Sequence, residues 1–126
     1  MAPRRYRRHK GRNSLIGDLK ELAGFVRRYY GGGADYLDKT IRLYGKNEAA
    51  FWERLNSNEI WGGMGSLADQ FLVTNPGMPE DVYKGEKREF RELMIRIGRA
   101  MQEKGIENAR AASWVDAFKH WNEMGL

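Results

Sequence analysis

The chain contains no cysteine, which excludes disulfide staples, thiolate metal sites and cysteine nucleophiles and fits a reducing, cytoplasmic setting. Histidine is nearly absent too. His9 and His120 are the whole supply, so no H-E-x-x-H pair exists and imidazole chemistry has little material. Only three prolines interrupt 126 residues, which leaves long stretches open to helix. No apolar run is long enough for a signal peptide or a membrane span, and the basic start lacks the hydrophobic region an export signal needs. Calcium loops and Walker sequences are missing as well. These absences predict a soluble protein with no membrane contact, no metal and no cofactor, held together by its apolar core alone.

What the chain does have is segregated charge. Arg4, Arg5, Arg7, Arg8, Lys10 and Arg12 stand in residues 1–12 without one acid, while the rest of the chain carries 16 basic against 17 acidic residues. The net charge of +5 therefore belongs to the N-terminus, and the body is close to neutral. Residues 1–12 lack apolar periodicity and repel themselves, so they are expected to form a disordered basic arm ahead of a single domain over residues 13–126. With Tyr6 and His9 between them, the cations can contact phosphates and stack on bases, or they can simply keep the chain in solution.

Helical periodicity dominates the body. After Asn13 or Ser14 as cap, Leu15, Leu19, Leu22, Val26 and Tyr30 recur on one face, with Ile16, Ala23 and Tyr29 beside them and Asp18 at the positive end of the helix. Gly31, Gly32 and Gly33 read as a connector, because each glycine costs a helix about 1 kcal/mol. A second helix is expected from Asp35 as cap through Leu37, Ile41 and Tyr44 to Gly45. Asn47 caps a third, which carries Phe51, Trp52 and Leu55. Asn56, Ser57 and Asn58 break the pattern before Ile60 and Trp61 return to the core. Beyond the loop Thr74–Pro79, a long helix places Phe90, Leu93, Met94, Ile97 and Met101 inward. Its outer face holds Arg88, Glu92, Arg96, Arg99 and Glu103, with Glu92 and Arg96 spaced to pair and Ile95 lying exposed among them. Gly105 stops this helix. Asn108 opens the last one, where Ala111, Trp114, Val115, Phe118 and Trp121 face the core and Gly125 ends the run. The expected fold is an all-α single-domain bundle of five or six helices.

The least ordinary stretch is Trp61-Gly62-Gly63-Met64-Gly65-Ser66. Ser66 followed by Asp69 reads as a variant capping box for a short helix with Leu67, Ala68, Phe71 and Leu72 on its buried side. Backbone amides at such a start can hold an anion, and Gly63 to Ala68 fits G-x-G-x-x-A, but no strand precedes it as a dinucleotide fingerprint requires. Both readings of the turn stay open: a structural connection, or a ligand site built from Trp61, Gly62, Gly63, Gly65 and Ser66. No catalytic residue is expected elsewhere. Ser113, Asp116 and His120 look like a triad in a list, yet they occupy successive turns of one polar helix face with no cradle for an oxyanion.

The segment Asn58-Glu59-Ile60-Trp61-Gly62-Gly63-Met64-Gly65-Ser66-Leu67-Ala68-Asp69 resembles a motif in a family of small uncharacterised bacterial proteins, a domain of unknown function. In that family W-G-G-x-G-S follows a polar turn and precedes a short helix. The resemblance covers the central third of the chain. It implies a bacterial or phage origin and treats Trp61 to Ser66 as one unit, but it transfers no function and no catalytic residue. The expectation is thus a non-catalytic binding or regulatory module whose arm contacts nucleic acid. The alternatives are a protein-interaction partner of the antitoxin or immunity type, and a small ligand binder or enzyme acting at the glycine turn.

Overall fold

A computed structural model describes residues 14–29, 32–70 and 79–126. Seven helical segments follow in order: α1 Ser14–Tyr29, α2 Gly32–Leu43, α3 Glu48–Leu55, α4 Asn58–Trp61, α5 Leu67–Gln70, α6 Glu80–Lys104 and α7 Ala109–Glu123. No strand occurs among the described residues, and the fold is all-α. The arm, Asn13, Tyr30, Gly31 and the stretch 71–78, with Phe71, Leu72 and most of the expected loop, lie outside the described residues.

Helix α6 is the axis of the bundle. α1 and α7 both pack against it, while α2 lies against α1 and α3 against α2. The short α4 joins α5 to α7. The expected stripe of Phe90, Leu93, Met94, Ile97 and Met101 is buried throughout. Ile95, expected on the outside, is only 9% exposed. An element that packs against two helices buries more than a single narrow stripe. Glu89 and Arg91 go under with them.

The same crowding changes the ion pairing. Arg96 does not pair with Glu92 at the helical spacing. Its Nε lies 3.1 Å from Asp18 Oδ2 of α1, and Glu92 instead faces Arg88 at 3.7 Å. Asp18 is thus no dipole partner at a helix end in water; it is a buried carboxylate, 2% exposed, held by a cation from the neighbouring helix.

Two expectations around the glycine triplet are also corrected. Gly32 and Gly33 form the first turn of α2, and Asp35 lies inside that turn rather than capping it. A Cβ at Gly33 would stand 3.1 Å from Val26 Cγ1 and 3.2 Å from Leu67 Cδ1. Glycine is used here for the close approach of α1, α2 and α5, and packing outweighs its poor helix propensity. Tyr44, expected inside, is 45% exposed, although its ring meets Phe51 edge-on at 5.1 Å.

The helix ends follow the sequence signals closely. Asn47 Oδ1 accepts from Ala50 N–H, and Asn108 Oδ1 accepts from Ala111 N–H. Gly105 takes φ +93°, which lets Ile106 N–H reach Met101 C=O and Gly105 N–H reach Gln102 C=O. Gly125, with φ +77°, repeats the arrangement at the end of α7 through Leu126 to Trp121 and its own bond to Asn122. Both satisfy carbonyls that a helix terminus would otherwise strand. Among the described residues no helix is long and apolar enough to cross a membrane.

Candidate functional site

The glycine turn joins α4 to α5 and leans on the start of α7. Its first residue is core. Trp61 is fully buried, its Nε1–H donates to Leu55 C=O at 2.9 Å, and its own C=O accepts from Trp114 Nε1–H at 3.2 Å. The indole therefore faces the interior and presents no ring to a ligand. Gly62 is buried as well, and its amide closes the short helix onto Asn58 C=O.

Ser66 does not cap α5 as expected. Its hydroxyl is buried and donates backward to Gly62 C=O at 2.6 Å. Asp69 Oδ2 reaches one residue further than a capping box would and accepts from Gly65 N–H at 3.0 Å. Ser66 N–H is bonded to Gly63 C=O. The positive backbone field of the turn is met by an internal carboxylate and by carbonyls, so the amides of Gly62, Gly65 and Ser66 all have acceptors within the chain. Gly63, Met64 and Gly65 remain exposed, with Met64 97% exposed at the tip. Beside Gly63 runs a shallow depression of about 340 Å³, bounded by Gly62, Ala109, Arg110, Ser113 and Trp114. Arg110 Nη1 stands 3.7 Å from where a Cβ on Gly63 would sit.

This geometry ranks the glycines. Gly65, at φ +86°, is the one with a left-handed backbone. Gly65→Ala is expected to cost about 1 to 2 kcal/mol, whereas Gly63→Ala meets only ordinary contact and should stay within about 0.5 kcal/mol of wild type. Gly62→Ala would force a Cβ to 2.5 Å from Asn58 C=O. Urea midpoints of the three variants check the order.

Ser113, Asp116 and His120 are all exposed on α7, as expected for a solvated face. Among the described residues no group of three His, Asp or Glu side chains is placed to hold a metal ion. The six arm cations, Arg4 to Arg12, lie outside the described residues.

Sequence reading passed over a second cluster, toward the other end of the α6–α7 pair. Lys84, Lys87, Arg88 and Arg91 recur at helical spacing on α6, and Arg88 and Arg91 meet Trp121 and Asn122 of α7. Burial, together with repulsion from Arg91 and Lys84, pushes the Lys87 ammonium below its ordinary pKa. Burial also lowers Arg91, and Arg88 adds to the effect while Tyr83 opposes it. The phenols of Tyr29 and Tyr83 are raised, chiefly by burial. The signal was available as a basic i, i+3, i+4, i+7 pattern, but Glu86, Glu89 and Glu92 interleave with it and make the stretch read as a mixed, solvated face.

Compared with protein-family models, with curated proteins and with solved structures, the chain matches none.

Proposed function

We propose that the protein is a non-catalytic binding protein whose basic arm contacts nucleic acid through charge. The observation that carries the reading is the segregation of charge: six cations without an acid in residues 1–12, against 16 basic and 17 acidic residues elsewhere. A nearly neutral helical body attached to a short run of arginines suits sequence-independent phosphate contact, in which released counterions supply the affinity. The sequence of residues 1–12 carries no apolar periodicity, so contact is expected through phosphate charge and not through base edges. Support against a catalytic role at the glycine turn comes from its buried indole and from the amides of Gly62, Gly65 and Ser66, which are engaged within the chain.

Removal of residues 1–12 is expected to abolish salt-sensitive retention on immobilised nucleic acid while circular dichroism keeps its helical signal. Retention that survives the deletion unchanged would overturn the reading.

A further inference from the structure

Arg91 is 5% exposed, yet among the described residues no carboxylate lies within ion-pair distance of it. Its guanidinium faces the Trp121 ring at 5.2 Å, and Nη1 donates to Asn122 Oδ1 at 3.3 Å. That acceptor is itself fixed, because Asn122 Nδ2 donates to Arg88 C=O at 3.2 Å. Among the described residues the buried Nε of Arg91 has no hydrogen-bond partner. A buried cation lacking an anion is costly, and Arg96 on the same helix shows the usual remedy in Asp18.

The groups around Arg91 do not supply that remedy. Arg88 Nη1 donates to Asn122 C=O at 2.7 Å, and Arg88 pairs with Glu92. Glu86 is taken by Arg28 and by the Tyr29 hydroxyl. Lys87, half-buried, lies 4.9 Å from the centroid of the Tyr83 ring, and among the described residues no carboxylate pairs with it. Lys84 is exposed one turn away. Lys87 lies close enough to Arg91 to feel its charge, with Lys84 beyond it, and a planar guanidinium with an unused N–H beside an ammonium matches the acceptor geometry and charge of a phosphate.

We infer that Arg91 and Lys87, with Lys84 at the rim, form a phosphate-binding site on the α6–α7 face. The ligand class is a phosphate group, either free or as the phosphodiester of a nucleic-acid strand. The site is distinct from the arm, and the inference does not rest on the arm's role.

The test uses the full chain at constant ionic strength, titrated separately with inorganic phosphate and with a short single-stranded oligonucleotide, while the Arg91 Nε–H and Trp121 indole N–H resonances are followed. Saturable shifts of both resonances are expected. Lys87→Gln should weaken the binding about tenfold, the low end for losing a hydrogen bond to a charged group, without lowering the melting temperature. Arg91→Lys keeps the charge but loses the fork, and should weaken binding at least as much. A response to phosphate alone identifies a free anion as the ligand, and a response to the oligonucleotide alone identifies a strand. Resonances that stay still with both probes, or that move equally with chloride, would overturn the site. Binding that Lys87→Gln and Arg91→Lys leave unchanged would overturn it too. The arm's retention on nucleic acid is read separately and is not touched by that failure.

Discussion

Trp61→Ala is expected to lower stability by about 3 to 5 kcal/mol, the range for truncating a large aromatic residue in a packed site. Trp61 is fully buried and supplies the indole donor to Leu55 C=O. Its ring also packs against α6, with Cη2 3.5 Å from the position of a Cβ on Gly98. Gly98 itself has no room for that Cβ, which would fall 2.5 Å from Val115 Cγ2. The indole therefore sits at the junction of α4, α6 and α7, and removing it opens a cavity that none of the three can close alone. Domains of this size are stabilised by about 5 to 15 kcal/mol, so the variant stands near the threshold of unfolding. Urea denaturation followed by far-UV circular dichroism measures the loss. Trp114→Ala is the control: that ring is only half-buried, so its loss should be the smaller.

Arg96→Ala should cost a comparable amount for a different reason. Asp18 is a buried carboxylate, its side chain 3% exposed, and Arg96 is its cation at 3.1 Å. Removing one partner of a buried ion pair typically costs about 3 to 5 kcal/mol, because the other charge stays in a poor solvent. The surface pair Arg27 and Asp38 is closer, at 2.6 Å, but its side chains are 55% and 35% exposed. Arg27→Ala should cost about 1 kcal/mol or less, since water screens the pair. Burial, and not distance, sets the order. If the double variant Asp18→Asn with Arg96→Ala recovers much of the single-variant loss, the cost lies in the stranded carboxylate and not in lost packing.

The features that sequence made legible are those set within one turn of helix. Asn47 and Asn108 as caps, Gly45, Gly105 and Gly125 as left-handed stops, and the inward stripe of α6 all depend on neighbours a few residues apart. What escaped depends on a second element. Ile95 is buried on a helix that packs against two others, Arg96 pairs with Asp18 of α1 and not with Glu92, and Gly33 stands where Val26 and Leu67 leave little room for a Cβ. Phe25, absent from the expected stripe, is 2% exposed and stacks toward Phe90 at 6.0 Å across the α1–α6 contact.

The candidate site divides the same way. The turn at Trp61 to Ser66 was visible from its glycines, but the direction of its side chains was not. Periodicity cannot say that Ser66 bonds backward to Gly62 or that Asp69 fills the amide of Gly65. The Arg91 cluster was harder still. Its basic residues are plain in the sequence, while the lack of a paired carboxylate at Arg91 among the described residues depends on α7, whose Trp121 and Asn122 meet the guanidinium instead.

The most direct measurement for the proposed function is the salt dependence of affinity for a single-stranded oligonucleotide, compared between the full chain and the chain lacking residues 1–12. Each neutralised phosphate contributes a slope of about −0.7 in log K against log salt on single strands, so six arm cations correspond to about −4. The expected result is that the deletion removes a slope of about that size. A slope that is the same with and without residues 1–12 would contradict the arm as the source of binding.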